Sequence, residues 1–414
     1  MNATEIQEVN ISTQSGPGSE ILIEVARKFG SPVYIYHAET IKAQYEKLTK
    51  AFADAPATFF YASKALTNLN VLRYIRSIGC NIDCSSVNEV QIALKAGFEP
   101  ANILYTSNNI AFEEIEQAAG YGVNINIDSL SNLKKFGQKF GHSYPVGIRL
   151  RPNIMAGGNL KISTGHQDSK FGIPIDQLDL VQDLVREHNI FINGLHIHTG
   201  SEIQDVEVFM KGIELLYRLS ESFPELRFLD LGGGFKVAYK EGDKGTDIYL
   251  LGKKITEAHK AYEAKSGRKL ELWFEPGKFI VSDSGYFVCR VNVIKTTSVK
   301  EFVGVDTGLN HLIRPMFYDA YHKIANLSNP AGKLKPYTIV GNICETDTFA
   351  TDRMINEIRE GDYLVFYNAG AYGFEMASNY NARFKPAEVL IENNEARLIR
   401  SRDTLDDLLR NQIV

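Results

Sequence analysis

A (β/α)8 barrel of the TIM type, joined to a C-terminal antiparallel β-domain that the N-terminal segment completes, is the fold class this sequence predicts. Three observations predict it. Short apolar strands alternate with amphipathic helical stretches through the first two thirds of the chain. Eight such β/α units fit into roughly 220 residues, the span of a barrel whose strands all run parallel. After Gly277 the rhythm gives way to short runs rich in β-branched and aromatic residues, the pattern of antiparallel sheet. An open doubly wound sheet would alternate in the same way, and periodicity alone does not separate the two.

In chain order, an edge strand and a helix, Ser19 to Phe29, precede a strand from Pro32 to His37. The barrel strands then follow: Thr58 to Ala62, Asn81 to Cys84, Ile103 to Thr106, Asn124 to Asp128, Val146 to Arg151, Gly194 to His198, Phe228 to Leu231 and Leu270 to Glu275. Helical spacing fills the gaps, as in Leu69, Leu72, Ile75 and Ile78, or Val90, Ala93 and Leu94. The β-domain runs are Phe279 to Ser282, Gly285 to Lys295, Phe302 to Asp306, Tyr337 to Val340, Asp362 to Phe366 and Glu388 to Glu392. The expected divisions are therefore 1–37 for the joining segment, 38–278 for the barrel and 279–414 for the β-domain. The Gly157-Gly158 loop is the segment expected to move most.

Composition narrows the function classes. With 44% hydrophobic and 23% charged residues, the chain has an ordinary globular balance. A formal charge of -5 without a Lys/Arg block offers no field for nucleic acid or an anionic membrane. No apolar run has the length of a signal peptide or of a membrane span, so a cytoplasmic location is expected. Cys80, Cys84, Cys289 and Cys344 form no C-x-x-C pair and have no His partners at metal spacing, so reduced thiols and no metal are expected.

The strand ends carry the chemistry. Thr58 to Leu66 reads as a buried aromatic strand that delivers Lys64 to its end. A lone lysine there usually snorkels to the surface. In a partly desolvated barrel mouth it would lose some preference for its charged form and could condense with an aldehyde, the candidate being pyridoxal phosphate (PLP). Gly232-Gly233-Gly234 follows the seventh strand, where barrels commonly bind phosphate, although three glycines also make a plain turn. The eighth strand ends in Glu275-Pro276-Gly277-Lys278, where Glu275 is a carboxylate at the floor of the site and Lys278 a cation beside the same phosphate region, a candidate cofactor contact. His196 and His198 point the same way by strand alternation; one imidazole could stack on a flat cofactor, or both could be core histidines.

Together, Tyr61-Ala62-Ser63-Lys64, Ile162 to Gly165, Ser169 to Gly172, His198-Thr199-Gly200-Ser201, Gly232-Gly233-Gly234, Glu275-Pro276-Gly277, Asn310 to Pro315, Cys344-Glu345 and Ala371-Tyr372-Gly373 resemble, in order and over nearly the whole chain, the alanine-racemase-fold PLP-dependent decarboxylases. Among them the chain is most similar to the diaminopimelate decarboxylases. The resemblance implies that Lys64 holds PLP, that Glu275 keeps the pyridine nitrogen protonated, and that His198 stacks on the ring. Ser201, Gly232 to Gly234 and Tyr372 would hold the phosphate, Pro276 and Gly277 would lie beside it, and Asp83 and Arg149 would support the cofactor. It further implies a homodimer in which Cys344, as proton donor, and Glu345, as acceptor of the distal ammonium, reach the site from the partner subunit. A thiol suits that task because either of its forms is accessible near neutral pH.

Arg314, Tyr318 and Lys278 would hold the second carboxylate of meso-diaminopimelate, and Tyr372 would also contact substrate. A buried Arg left unpaired by lysine or ornithine could reject them by ~10⁴. The implied reaction is decarboxylation of meso-2,6-diaminopimelate to L-lysine and CO2, closing lysine biosynthesis. The chain departs from the family at Lys278, where Arg is usual, and an ammonium cannot reproduce the bidentate fork of guanidinium. Decarboxylation of lysine, ornithine or arginine, racemisation on the same barrel, and a non-enzymatic PLP-binding role are the alternatives. Glu275 speaks against racemisation, and the presence of Cys344, Glu345 and Tyr372 speaks against a non-enzyme.

Overall fold

A computed structural model describes residues 16–154 and 169–413. The edge strand expected ahead of Ser19 falls on residues 1–15, and Gly157-Gly158 and Ile162 to Gly165 fall on 155–168; all lie outside the described residues. Two sheets organise the rest. In chain order the strands are β1 (Val33–His37), β2 (Ala57–Ala62), β3 (Asn81–Cys84), β4 (Ile103–Thr106), β5 (Asn124–Ile127), β6 (Val146–Arg151), β7 (Ile173–Pro174), β8 (Ile192–Ile197), β9 (Phe228–Asp230) and β10 (Glu271–Phe274). They continue with β11 (Gly285–Thr296), β12 (Glu301–Val305), β13 (Ile324–Asn326), β14 (Leu334–Val340), β15 (Thr348–Asn356), β16 (Tyr363–Phe366), β17 (Ala387–Glu392) and β18 (Glu395–Arg400).

The first sheet runs β5-β4-β3-β2-β10-β9-β8-β6, and a further β5–β6 pairing closes it into a ring of parallel strands. Closure rules out the open doubly wound sheet. The two-residue β7 adds to β6 at the rim. Barrel strands are covered on both faces, which explains why β2 ends in four consecutive buried residues, Phe59 to Ala62. Several of the intervening helices carry side-chain N-caps. Asn68 accepts a hydrogen bond from the Asn70 amide ahead of Leu69–Ser77, and Ser86 does the same for Glu89 ahead of Val87–Ala96, which stops at Gly97 in the left-handed region.

The second sheet runs β15-β14-β12-β11-β1-β17-β18, with β16 on β11 and β13 on β16. The N-terminal segment supplies a strand, as expected, and that strand lies in the sheet interior between β11 and β17. The sheet is mixed rather than antiparallel, because β1 pairs in parallel with β17 and β12 with β14. Parallel pairing needs a long crossover, and the whole barrel intervenes between β1 and β17. A second correction concerns Phe279 to Ser282, which forms a helical turn, Lys278–Val281, with Phe279, Ile280 and Val281 buried. A short apolar run fits either element, and here the chain must turn away from the barrel rim. Strands β13, β15 and β18 escape the sequence pattern; β15 and β18 are partly exposed and mix charged with apolar residues. Among the described residues no helix is long and apolar enough to cross a membrane.

Candidate active site

A cavity of about 640 Å³ opens at the C-terminal ends of the barrel strands, and residues of the second sheet's loops complete its wall. Lys64 enters it from a single helical turn, Ser63–Ala65, immediately after β2. That turn is fastened on several sides. Ser63 donates to Glu89 (2.8 Å), Thr67 donates to the Ser63 carbonyl (2.7 Å), and the Tyr372 amide donates to the Ala65 carbonyl (2.8 Å). The Lys64 side chain is 44% accessible through the cavity, and its Nζ lies 3.0 Å from Asp83 at the end of β3. Burial, the largest influence, favours the neutral amine, but Asp83, Tyr372 and Glu275 together outweigh it and raise the pKa above the ordinary lysine value. This corrects the expectation of a lysine eased toward neutrality: the barrel mouth is acidic as well as desolvated.

Beneath Lys64 sits a buried acid cluster. Glu275, just past β10, accepts from Thr106 (3.3 Å), which itself accepts from Asn126 (3.0 Å). His196 Nε2 lies 3.5 Å from Glu275 Oε2. Side-chain atoms of His196, Asp230 and Glu275 all fall within 4.8 Å of one another, too close for two carboxylates to ionise freely. Burial, with Asp230 and Asp83 adding to it, pushes Glu275 well above the carboxylate range. Burial raises Asp230 above the carboxylate range as well. His196 is driven well below the usual histidine value by burial and then by Arg149, so it is neutral. The Arg149 guanidinium lies over the Phe171 ring at 4.8 Å.

The two histidines divide the roles that strand alternation left open. His196 is fully buried against Glu275, whereas His198, one residue past the strand, lines the cavity and accepts from the Gly233 amide (3.3 Å). Burial and Arg149 lower His198 to about 3. In the glycine loop, Gly232 and Gly234 adopt positive φ, and a Cβ at Gly234 would come within 2.1 Å of the Gly200 carbonyl. Gly234, Ser201 and Tyr372 line the cavity; Gly232 and Gly233 lie behind, with the Gly232 amide bound to Asp230 (2.8 Å).

Pro276, Gly277, Lys278, Arg314 and Tyr318 also line the cavity, at its outer part. Lys278 is ion-paired with Glu202. Arg314 is 5% exposed; it donates to the Tyr239 hydroxyl (3.3 Å) and meets His322 Nε2 (3.3 Å). His322 Nδ1 donates to the Tyr367 carbonyl (2.8 Å), which leaves Nε2 as an acceptor for the guanidinium. Tyr318 donates weakly to the Met376 sulfur (3.8 Å). Sequence reading missed Thr106, Phe171, Glu202, Asp230 and Tyr239 as site residues. Glu202 and Asp230 carried a usable signal, since each adjoins a motif that was singled out.

Cys344 and Glu345 do not line this cavity. Both are exposed; the Cys344 amide donates to Asn381 (2.8 Å), and Glu345 accepts from the Tyr380 hydroxyl (2.9 Å).

Residues 38–282 match the family described as pyridoxal-dependent decarboxylase, pyridoxal binding domain. The chain is 38% identical to a protein of Methanothermobacter thermautotrophicus named diaminopimelate decarboxylase, over 98% of this chain and 97% of that one. A protein of the same name from Aquifex aeolicus is 35% identical, over 93% of this chain and 92% of the other. Among solved structures, the diaminopimelate decarboxylase of Helicobacter pylori complexed with L-lysine superposes with a TM-score of 0.87 at 32% identity, covering 94% of this chain and 98% of that one. A lysine/ornithine decarboxylase from Vibrio vulnificus, at 24% identity and a TM-score of 0.80, shares the fold.

Proposed function

The chain belongs to the pyridoxal-dependent decarboxylases and, within them, to the diaminopimelate decarboxylases, and from that premise we propose how its residues divide the work. The enzyme uses pyridoxal phosphate to decarboxylate meso-2,6-diaminopimelate, giving L-lysine and CO2. The residues present fit that cofactor. Lys64 offers the amine, Glu275 a buried carboxylate able to face a ring nitrogen, and Gly234 a wall where a side chain would collide with backbone. When bound, the cofactor supplies the electron sink that makes loss of CO2 feasible.

Lys64 would hold the cofactor through its amine, and Asp83, 3.0 Å from Nζ, would orient that amine. Glu275 keeps the ring nitrogen protonated: a cation placed against it would reverse the pressure that now holds a proton on the His196–Asp230–Glu275 cluster. His198, neutral and cavity-facing, packs on the ring. Ser201, Gly234 and Tyr372 hold the phosphate, with Gly232 and Gly233 shaping the loop and Pro276, Gly277 and Arg149 bracing the pocket. Arg314, Tyr318 and Lys278 hold the distal carboxylate.

Cys344 and Glu345 of the partner subunit complete the site in a homodimer, Cys344 protonating the carbon that loses CO2. Their exposure, away from the cavity of their own chain, supports this assignment. We propose the divisions 1–37, 38–278 and 279–414, and a cytoplasmic location, as corollaries of the same reading.

The observation that carries the substrate assignment is Arg314, a buried guanidinium with no carboxylate partner among the described residues, in the cavity that contains Lys64. A ligand carboxylate satisfies it; lysine, ornithine and arginine bring none at that end. CO2 release from meso-diaminopimelate, compared with lysine, ornithine and arginine, tests the reading. Equal turnover of lysine would overturn it.

A further inference from the structure

The outer wall of the cavity holds an acid as well as cations. Glu202 follows Ser201 and is a non-glycine residue in the left-handed region, at φ 60. Its neighbour Ile203 is fixed to the glycine loop, the Ile203 amide donating to the Gly234 carbonyl at 2.9 Å. Such backbone is costly and persists where the surroundings impose it, which makes it a pointer to function rather than an accident of a loose turn. The result is a carboxylate that lines the cavity at 23% side-chain exposure, held by Lys278, which is itself 13% exposed.

The pairing binds one carboxylate oxygen, Oε1; Oε2 has no hydrogen bond among the described residues. Asp243, the other acid of the outer wall, is already committed to Lys236 (2.5 Å) and to the Tyr239 amide (3.2 Å). Burial works against a charged Lys278, but Tyr239 and Glu202 more than offset it, so the pair is a true ion pair. The outer wall therefore presents Arg314, a buried cation with no carboxylate partner among the described residues, and an acid with a spare oxygen. That is the complement of a zwitterion, one carbon bearing both a carboxylate and an ammonium.

We propose that Glu202 is a specificity-determining residue of the outer subsite, its Oε2 receiving the distal ammonium of the substrate while Arg314 receives the distal carboxylate. Lys278, which the reading above sets beside the distal carboxylate, is also the positioning residue that keeps the Glu202 carboxylate in place. This rests on the diaminopimelate reading above and adds to it an ammonium acceptor from the same chain as Lys64. It also explains how Lys can stand where guanidinium is usual: a point charge suffices to hold one carboxylate oxygen.

The test compares meso-diaminopimelate with racemic 2-aminopimelate, which lacks the distal amine and would release CO2 to leave 6-aminohexanoate. In Glu202→Gln holoenzyme, kcat/KM for meso-diaminopimelate should fall ~30-fold or more, chiefly through KM, as expected for loss of a hydrogen bond to a charged group. The inhibition constant of pimelate, which has no amine, and kcat/KM for 2-aminopimelate should each move less than about threefold, since neither ligand uses that bond. Equal losses on both substrates, with weaker pimelate binding, would mean that Glu202 only restrains Lys278 and would overturn the proposal. So would a wild-type-like Glu202→Gln alongside a Glu345→Gln variant that alone loses discrimination for the amine. If wild-type enzyme released no CO2 from meso-diaminopimelate, the parent reading would fail instead.

Discussion

The two ends of the cavity are built by different rules. At the inner end each functional group sits at or just past a barrel strand: Lys64 after β2, Asp83 in β3, Arg149 in β6, His196 in β8, Asp230 in β9 and Glu275 after β10. Neighbouring strands are held in register by main-chain hydrogen bonds, so these groups are fixed relative to one another. At the outer end Glu202, Tyr239, Lys278, Arg314 and Tyr318 come from loops and from the short helices Lys278–Val281 and Arg314–Tyr318. On the reading proposed above, the inner end would handle the cofactor and the outer end would choose among amino acids, with chemistry placed on strand ends and recognition on loops.

Substitutions at the two ends should therefore fail differently. The largest effect belongs to Lys64→Ala: kcat should drop by ~10⁴ or more, and the visible absorbance of cofactor-loaded protein should vanish. Retained absorbance would place the attachment elsewhere. Arg314→Met should cost ~10³ in kcat/KM for meso-diaminopimelate while the absorbance survives, because its loss leaves the inner end intact. If the absorbance went too, the two ends would not be separable. Mixing Lys64→Ala with Cys344→Ala chains should restore about a quarter of wild-type activity, since half the dimers would be hybrids with one intact site each; inactive mixtures would deny the shared site. Lys278→Arg should change kcat/KM by less than about fivefold, because a guanidinium can still pair with Glu202; a loss of orders of magnitude would show a pocket shaped around the ammonium.

The smallest effect concerns stability at the junction of the two sheets. Glu388 accepts from Tyr36 (2.8 Å) and Asn68 (3.0 Å), and burial, only partly opposed by those bonds, raises its pKa from 4.5 to about 7. Between those values the folded chain holds a proton that the unfolded chain has released. Stability is therefore greatest at the acidic end and declines as pH rises toward 7. Glu388→Gln should remove that decline, worth about 2 kcal/mol, and thermal melts at pH 5 and pH 8 would reveal it as a smaller fall in Tm. An unchanged fall would acquit Glu388.

This contrast also governs what could be read from the letters. Lys64 and Glu275 were legible because a barrel places one rim position per strand; Asp83 and Arg149, also at strand ends, were implied by the family resemblance. The charge state of Lys64 was not, since it depends on Asp83, Tyr372 and Glu275 converging from distant positions. Glu202 and Tyr239 lie in loops, where no period marks which side chain turns inward. The parallel pairing of β1 with β17 left no local trace either, for nothing near Val33 encodes a partner at Ala387. The expectation that Cys344 and Glu345 reach another subunit came from family resemblance alone.

The interior position of β1 bears on biosynthesis. Tyr34 donates to a carbonyl 277 positions along the chain, and Tyr36 to a carboxylate 352 positions along. On the ribosome this strand emerges early and waits, apolar on both faces, until almost the whole polypeptide has been made. The turn that carries Lys64 waits with it, because its clasps from Tyr372 and Glu375 arrive just as late. A nascent chain cut short before those residues would hold a complete ring of barrel strands, yet the Lys64 turn would keep only its local clasps from Glu89 and Thr67.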